Sequence, residues 1–307
     1  MPTTTFSSVL TPPTLKKGDT VGIIAPAGKI DPTILDPAIN TFKSWGIQVK
    51  LGKHILGQHH NFSGTPTQRI ADLQAMLDDP SVQTILCARG GYGTLQILDN
   101  LDFSQFTKQP KWVIGFSDIT ALLNHIYQEY GIQSIHGPMA SAFSQDADGV
   151  ESLRKILFGE PLHYSEPGHP LNKPGKASGN LVGGNLSILT NLTGSISSPE
   201  TNQSILLIED INEYYYNIDR MLLHLKRAAK LNHLAGLLVG GFTDLKDNKI
   251  PFGKSIPQII LDLTQSFDFP VAFDVSFGHI ARNLALPIGR KVNLTVTSSE
   301  IELKTYL

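Results

Sequence analysis

The stretch Val21-Gly-Ile-Ile-Ala25 is a short apolar run that begins a regular alternation along the chain. Amphipathic stretches over 32–45 and 66–78 separate it from two further runs, Ile47-Gln-Val-Lys-Leu51 and Thr84-Ile-Leu-Cys-Ala88. Short apolar runs predict buried strands, and the longer amphipathic stretches predict helices. Strands that alternate with helices in this way are typical of a parallel sheet covered on both faces.

The same alternation continues as far as His136. The sequence predicts a strand at Lys111-Trp-Val-Ile-Gly115, a helix over Ile119–Tyr130 that ends at Gly131, and a strand over Ile132–His136. We therefore expect the first half of the chain to form an α/β domain built on a parallel sheet.

The region 159–179 interrupts this pattern, because it holds four prolines among glycines and charged residues. This composition predicts a linker. Beyond it, the apolar run Ile205-Leu-Leu-Ile208, a long amphipathic helix and a closing hairpin over 292–304 predict a second domain of mixed α and β. The expected organisation is an N-terminal α/β domain over 1–158, the linker, and a C-terminal α/β domain over 180–307.

Composition limits the classes of function. The chain has 307 residues, of which 41% are hydrophobic and 17% charged, the balance of an ordinary globular protein. A formal net charge of −2 offers no basic surface for nucleic acid or an anionic membrane, so a peptide or small-molecule partner is expected. The single cysteine, Cys87, excludes an internal disulfide. Without a secretion signal or a run of ~18 apolar residues, a cytoplasmic location is expected.

The candidate nucleophile is Ser117, within Trp112-Val-Ile-Gly-Phe-Ser-Asp-Ile-Thr120. A predicted strand leads through Gly-x-Ser directly into a helix, which is the setting of a nucleophile elbow. The sharp turn exposes the serine hydroxyl, and the helix N-terminus offers N–H groups to an oxyanion. The match is incomplete, because the hydrolase pattern has a second glycine where this chain has Ile119. The alternative is that Ser117 or Asp118 is only the N-cap of the helix.

A glycine-rich turn, Ala88-Arg-Gly-Gly-Tyr-Gly-Thr94, lies between another predicted strand and helix. It does not fit the nucleotide-binding motifs. Counted from Gly91, the third glycine of the dinucleotide fingerprint would fall on Gln96, and no Gly-Lys-Ser/Thr follows. The glycines do allow the backbone to approach a ligand closely and to supply an N–H group to an oxyanion. The alternative is an ordinary connecting turn.

A serine nucleophile needs a base, and the chain has ten histidines. Two of them lie at or after the end of a predicted strand and are the candidates. His136 lies at a strand end, and His279, in Phe277-Gly-His-Ile280, opens a loop that contains Arg282 and Asn283. Polar residues in such a loop are expected to face a cleft.

A third group must hold the histidine in the right tautomer. Glu209 and Asp210 follow the apolar run that ends at Ile208. Acids at the carboxyl end of a buried strand lie where open α/β sheets place ligand-binding groups. The residues alone do not separate Glu209 from Asp210, and both would also fit the start of a helix.

Taken together, these features resemble the LD-carboxypeptidases, also called muramoyltetrapeptide carboxypeptidases, over nearly the whole chain. The resemblance rests on seven blocks that occur in the same order as in that family. The blocks are Gly22-Ile-Ile-Ala-Pro-Ala27, Ala88-Arg-Gly-Gly-Tyr-Gly93, Ile114-Gly-Phe-Ser-Asp-Ile-Thr120, His136-Gly-Pro-Met139, Gly183-Gly-Asn-Leu186, Ile208-Glu-Asp210 with Tyr216-Asn-Ile-Asp-Arg220, and Phe277-Gly-His279.

The resemblance implies a Ser-His-Glu triad, in which Ser117 attacks, His279 relays the proton and Glu209 orients the imidazole ring. It thereby selects Glu209 over Asp210 and His279 over His136. It also implies a flavodoxin-like N-terminal domain that carries the serine, a mixed α/β C-terminal domain that carries the other two residues, and an active site in the cleft between them.

For the oxyanion hole, the resemblance implies backbone N–H groups of the Gly90-Gly91 turn and of Asp118, without a choice between the two glycines. A terminal substrate carboxylate favours arginines or N–H donors. The expected substrate-binding residues are Arg89, Tyr92, Arg282 and Asn283, with a structural ion pair as the alternative for Arg89.

The activity implied by the resemblance is removal of the terminal D-alanine from a murein tetrapeptide during cell-wall recycling. The resemblance also implies that the reaction needs no metal or cofactor and that the protein forms a homodimer. The chain also resembles a related branch of the same fold, the peptidases that confer immunity to microcin-type peptide–nucleotide antibiotics. The resemblance implies that this branch uses the same triad. A different class of function is a non-catalytic ligand-binding module, in which Ser117 is a helix cap and His279 is structural.

Overall fold

The structure is a computed structural model that describes residues 9–305. The strands are β1 (Thr20–Ile24), β2 (Gln48–Leu51), β3 (Val82–Cys87), β4 (Trp112–Gly115), β5 (Ser134–His136), β6 (His163–Pro167), β7 (Gly175–Asn185), β8 (Ser204–Ile211), β9 (Gly236–Thr243), β10 (Val271–Ala272), β11 (Leu286–Ile288), β12 (Lys291–Val296) and β13 (Glu300–Lys304). The α-helices are α1 (Leu35–Ser44), α2 (Pro66–Asp78), α3 (Leu95–Leu98), α4 (Ser104–Lys108), α5 (Thr120–Tyr130), α6 (Ala147–Leu157), α7 (Leu186–Leu192), α8 (Tyr215–Arg227) and α9 (Ile256–Thr264).

The first sheet has the strand order β11-β5-β4-β3-β1-β2. Strands β1 to β5 pair in parallel, and β4 is buried along its whole length, as expected of strands between two helical layers. The helix predicted over 66–78 is found as α2, which begins with a capping box between Thr65 and Gln68 and has proline at its first position. The predicted α/β class is confirmed.

Strand β11 comes from late in the chain but joins the first sheet, where Leu286 pairs antiparallel with His136 of β5. In the parallel pair β4–β5, His136 lies opposite Gly115, two residues before Ser117. The segment that precedes β11 is therefore anchored beside the end of β4. The sequence does not predict this return, because the short apolar run Leu286–Ile288 is also compatible with a strand of the second sheet.

The second sheet has the order β10-β9-β8-β7-β12-β13-β6. Strands β7 to β10 are parallel, while β12, β13 and β6 are antiparallel, so this half has the predicted mixed character. Strands β12 and β13 form the hairpin that was predicted over 292–304.

The region 159–179, predicted as a linker, contributes to the second sheet. Residues His163–Pro167 form the edge strand β6 against β13, and β7 begins at Gly175. Strand β6 buries Glu166 but exposes most of its other residues, so it lacks the apolar signal of a strand. A proline is tolerated at such an edge because no further strand needs its missing N–H.

Helix α5, which follows the candidate nucleophile, is held against the second sheet by side-chain hydrogen bonds. Asn124 donates from Nδ2 to the carbonyl of Gly183 at 3.0 Å and accepts from the Gly183 N–H at 3.1 Å. Oγ1 of Thr120 accepts from the N–H of Asn185 at 3.1 Å, and Asn185 pairs with Glu209 across β7 and β8. These contacts fix the turn at the end of β4 relative to the strand that carries Glu209. Within residues 9–305, the helices are too short or too polar to cross a membrane.

Candidate active site

Ser117 lies at the first position of a 3₁₀ turn, Ser117–Ile119, directly after β4. Its φ angle is +61°, a left-handed conformation that costs an L-residue roughly 1–2 kcal/mol. The turn is tight, because a Cβ atom on Gly115 would lie 2.8 Å from Cγ2 of the buried Ile119. Ile119 packs over Gly115, so the turn forms without the second glycine of the hydrolase pattern. Strain of this kind at the end of a strand is typical of functional sites.

A continuous chain of hydrogen bonds joins Ser117 to Glu209 through His279. Nε2 of His279 lies 3.0 Å from Oγ of Ser117, and Nδ1 lies 2.6 Å from Oε2 of Glu209. Glu209 is fully buried, whereas 16% of the His279 side chain is exposed, and the Phe116 ring packs against the imidazole at 4.9 Å between centroids. A histidine placed between a hydroxyl and a buried carboxylate can accept the hydroxyl proton, with the carboxylate stabilising the resulting charge.

The backbone before His279 is shaped around Glu209. Gly278 has φ +92°, and a Cβ atom there would lie 2.7 Å from Cβ, Cγ and Oε2 of Glu209. The buried Asn283 accepts a hydrogen bond from the Gly278 N–H at 2.8 Å. Any larger residue at position 278 would displace the carboxylate from His279. The predicted substrate-binding residue Asn283 therefore lies beneath the site and shapes this turn.

Asp210 faces away from His279, because neighbouring residues of a strand point to opposite faces. Its carboxylate accepts hydrogen bonds from Nδ2 of Asn185 at 3.0 Å and from the N–H of Ser187, in the first turn of α7, at 2.9 Å. Burial, together with the charge of Glu209, raises the pKa of Asp210 to about 6. Of the two acids that the residues alone left open, Glu209 is the one that contacts the histidine.

His136, the other candidate base, does not hydrogen-bond to Ser117. It is fully buried at the end of β5, between the rings of Phe116 and Phe277. Burial lowers the pKa of His136 to about 4. In the part of the chain that the structure describes, neither of its ring nitrogens has a hydrogen-bond partner.

The glycine-rich turn packs directly against the turn that carries Ser117. A Cβ atom on Gly90 would lie 3.0 Å from Cβ and 3.2 Å from Oγ of Ser117. The turn is held by two hydrogen bonds, from the Gly28 N–H to the carbonyl of Gly90 at 3.0 Å and from the Thr94 N–H to Oδ2 of Asp118 at 2.8 Å. The backbone at Gly90 is therefore within reach of a group bonded to Ser117.

The remaining predicted substrate-binding residues fall into two groups. Arg89 and Tyr92 are exposed on the glycine-rich turn, where Arg89 makes one hydrogen bond to the Lys29 carbonyl at 3.1 Å. Arg282 instead forms ion pairs with Asp148 and Glu166, so its guanidinium is already engaged. Arg89 and Tyr92 are thus available to a ligand, while Arg282 holds its loop in place. No cluster of metal-ligating side chains occurs within residues 9–305.

Comparison with protein families matches both halves of the chain in order. Residues 21–137 match the LD-carboxypeptidase N-terminal domain, and residues 178–294 match the LD-carboxypeptidase C-terminal domain. A probable murein peptide carboxypeptidase of Bacillus subtilis (strain 168) is 43% identical, over 93% of this chain and 92% of the relative.

Solved structures show the same fold. The muramoyltetrapeptide carboxypeptidase of Oxalobacter formigenes superposes with a TM-score of 0.85 at 28% identity, covering 93% of this chain and 98% of that one. The microcin C7 self-immunity protein MccF, in complex with aspartyl sulfamoyl adenosine, superposes with a TM-score of 0.86 at 23% identity, covering 97% and 99% of the two chains, a likeness of fold alone. Because both domains match in order and a relative is closely similar over almost its full length, the chain belongs to the LD-carboxypeptidase family of peptide hydrolases.

Proposed function

We propose that this protein is a serine carboxypeptidase that removes the terminal D-alanine from murein tetrapeptide. Ser117 is the nucleophile, His279 the general base and Glu209 the acid that orients it. The observation that carries the proposal is the hydrogen-bonded chain from Oγ of Ser117 through His279 to the buried Glu209, with contacts of 3.0 and 2.6 Å. Similarity to murein peptide carboxypeptidases over 93% of the chain supports the substrate.

In the acylation step, Oγ of Ser117 attacks the carbonyl carbon of the diamino acid that precedes D-alanine. The hydroxyl proton passes to Nε2 of His279 as the new O–C bond forms, and the carbonyl oxygen becomes an oxyanion. Glu209 stabilises the imidazolium through the 2.6 Å contact with Nδ1. When the C–N bond breaks, Nε2 returns the proton to the nitrogen of the leaving D-alanine.

Backbone N–H groups stabilise the oxyanion in this proposal. The donors are Asp118, the residue after the nucleophile, and the Gly90-Gly91 turn. The close approach of Gly90 to Oγ of Ser117 supports this turn as a donor. One such donor contributes about 10²- to 10³-fold to kcat in serine peptidases.

In the deacylation step, water attacks the ester carbonyl while His279 accepts its proton. The ester bond then breaks, the proton returns to Oγ of Ser117, and the shortened murein peptide leaves with a free carboxylate. Arg89 and Tyr92, exposed beside Gly90, are the residues that we expect to contact the D-alanine carboxylate or the peptide.

The alternative within this fold is hydrolysis of an aminoacyl–nucleotide amide, as in the microcin immunity branch. The superposition on MccF favours it only at the level of fold. The same triad would carry out the chemistry, and the difference would lie in residues that recognise a nucleobase. A non-catalytic binding module does not explain why Ser117, His279 and Glu209 form one hydrogen-bonded chain.

A substrate comparison tests the proposal. Purified protein is incubated with murein tetrapeptide ending in D-alanine, with the same peptide ending in L-alanine, and with an aspartyl sulfamoyl nucleotide. Mass spectrometry follows the products. Release of D-alanine, without comparable release of L-alanine, supports the carboxypeptidase. Cleavage of the nucleotide alone would replace the substrate assignment while keeping the triad, and no cleavage of any of the three would contradict both.

Two further expectations belong to the proposal, namely a cytoplasmic location and a homodimer. The family resemblance implies the dimer. Fractionation of the native host and light scattering of the purified protein test the two expectations separately.

A further inference from the structure

His136 is a buried histidine that the proposed mechanism does not use. It is fully buried, and neither Nδ1 nor Nε2 has a hydrogen-bond partner within residues 9–305. Buried polar groups in native proteins are nearly always hydrogen-bonded, so an imidazole with two unpaired nitrogens requires an explanation. An apolar residue would fill the same space without this cost.

The imidazole of His136 lies among the residues that position the triad. Its ring packs against those of Phe116 and Phe277, with centroids 5.7 and 5.6 Å away. Phe116 precedes Ser117, and Phe277 precedes the Gly278 turn that shapes the contact with Glu209.

The ring also approaches the strand beside Glu209. A Cβ atom on Gly184 would lie 3.3 Å from Cδ2 of His136. The next residue, Asn185, pairs with Glu209 across the parallel strands β7 and β8. The imidazole therefore packs between the backbone that carries Ser117 and β7, the strand beside the one that carries Glu209.

A second buried atom without a partner belongs to Glu209. Oε2 of Glu209 bonds to His279, but Oε1 has no hydrogen-bond partner in the described part of the chain. The carboxylate only accepts hydrogen bonds, whereas a neutral imidazole always has one N–H to donate. The charge of Glu209 raises the pKa of His136, and the charge of His279 lowers it.

We propose that His136 is a positioning residue whose neutral imidazole donates an N–H to one bound water, which in turn donates a hydrogen bond to Oε1 of Glu209. This hydrogen bond fixes the plane of the carboxylate, so that Oε2 stays directed at Nδ1 of His279. The inference rests on the proposed Ser-His-Glu mechanism and adds a fourth residue that acts through Glu209.

The neutral state of His136 matters for the reaction. Burial has the largest effect and lowers the pKa of His136. The charge of Glu209 raises it, the charge of His279 lowers it, and a polar contact with the residue's own backbone raises it. Phe116, Phe277 and Gly184, which pack against the ring, carry no charge. His136 therefore supplies a donor to Glu209, through the water, without placing a second positive charge beside His279, which must itself become positive during acylation.

Substitution of His136 separates this role from packing. His136→Leu removes both nitrogens at similar volume, whereas His136→Asn and His136→Gln keep an amide N–H near the positions of Nδ1 and Nε2. We expect His136→Leu to lower kcat by about 10- to 100-fold with KM nearly unchanged. At least one amide variant should recover most of the lost kcat.

The pH dependence of kcat/KM distinguishes the proposed role from a packing role, because a purely packing role would leave this dependence unchanged. When Glu209 loses a hydrogen-bond donor, the pair formed by Glu209 and His279 binds a proton more readily. The acid limb of kcat/KM should therefore move to higher pH in His136→Leu. Thr84→Val is the matched control, because Oγ1 of Thr84 is also buried and unpaired but lies at the opposite end of the first sheet from Ser117.

A folded His136→Leu protein with wild-type kcat and an unmoved acid limb would overturn the inference. If that variant does not fold, a high-resolution crystal structure of the wild type decides. The inference requires a water within about 3.2 Å of both a His136 nitrogen and Oε1 of Glu209. Ring nitrogens that face only carbon atoms would contradict it. Absence of D-alanine release by the wild type would instead overturn the proposed function, which keeps the two failures distinct.

Discussion

Nε2 of His279 lies 3.0 Å from Oγ of Ser117, although 162 positions separate the two residues in the chain. Ser117 follows β4 of the first sheet, and His279 precedes β11, which crosses back to pair with β5 of the same sheet. One short strand thus anchors His279 beside Ser117, while Glu209 reaches the imidazole from β8 of the second sheet. The geometry of the site depends on how the two sheets are joined.

The strained backbone of Ser117 predicts an inverted order of stability. Since φ is +61° there, Ser117→Gly should be more stable than Ser117→Ala by about 1 kcal/mol, because glycine adopts this conformation without a Cβ clash. Both variants should be inactive. Urea unfolding of the pair measures the difference. At Ser44, an exposed residue of helix α1, the order should reverse, with alanine more stable than glycine. If the alanine variant were the more stable one at both positions, the backbone at Ser117 would not be strained.

Substitution of the neighbouring acids should separate catalysis from stability. Glu209→Gln removes the charge that stabilises protonated His279, so kcat should fall by about 10³- to 10⁴-fold with little change in KM. Asp210→Asn is the matched control, since Asp210 bonds to Asn185 and the start of α7 instead. It should reduce stability with a much smaller loss of kcat. Equal losses of kcat in the two variants would refute the distinct roles of the two acids.

Asp210 also predicts a pH dependence of stability. Burial raises its pKa from the ordinary value of 3.8 to about 6 in the folded protein. A raised folded-state pKa contributes stability below the unfolded pKa that is lost as pH rises through about 6. Relative to Asp210→Asn, the wild type should therefore lose about 1 kcal/mol of unfolding free energy between pH 5 and 7.5. Urea unfolding at both pH values measures this, and a pH-independent difference would show that the pKa is not raised.

Crowding beside the nucleophile predicts a catalytic defect in Gly90→Ala. The added methyl group would lie 3.2 Å from Oγ of Ser117, where the oxyanion and the acyl group must form. We expect kcat to fall by at least about 10²-fold, as for loss of an oxyanion donor. Gly18→Ala provides the converse control, because Gly18 has φ +94° and no neighbour within 4 Å of its added Cβ. Gly18→Ala should lose stability and keep its kcat. An unchanged kcat in Gly90→Ala would contradict an oxyanion site beside Gly90.

The sequence predicted the repeating elements of the fold more fully than its long-range pairings. Helix α2 has the ends predicted from its amphipathic stretch, and the structure shows a capping box and a proline at its start. Strands β6 and β11 were not predicted from the sequence. Strand β6 is a mostly exposed edge strand, and β11 has three residues whose apolar character does not specify a sheet. Pairing over long sequence distances is decided by packing, which local patterns do not encode.

For the site, the residues alone identified candidates but not their partners. The Gly-x-Ser turn indicated Ser117, while two acids and two histidines stayed open without the family resemblance. Strand alternation and the turn at Gly278 determine that Glu209 contacts His279, and both depend on the three-dimensional arrangement. The engagement of Arg282 with Asp148 and Glu166 could not be predicted either, because the three residues are distant in sequence.

Release of D-alanine from murein tetrapeptide by the wild type and by Ser117→Ala, both in the presence of EDTA, tests the central claim most directly. The account predicts release by the wild type that persists in EDTA and falls by at least about 10³-fold in Ser117→Ala, with the variant still folded. Release by folded Ser117→Ala at a rate near that of the wild type would contradict a serine nucleophile at position 117.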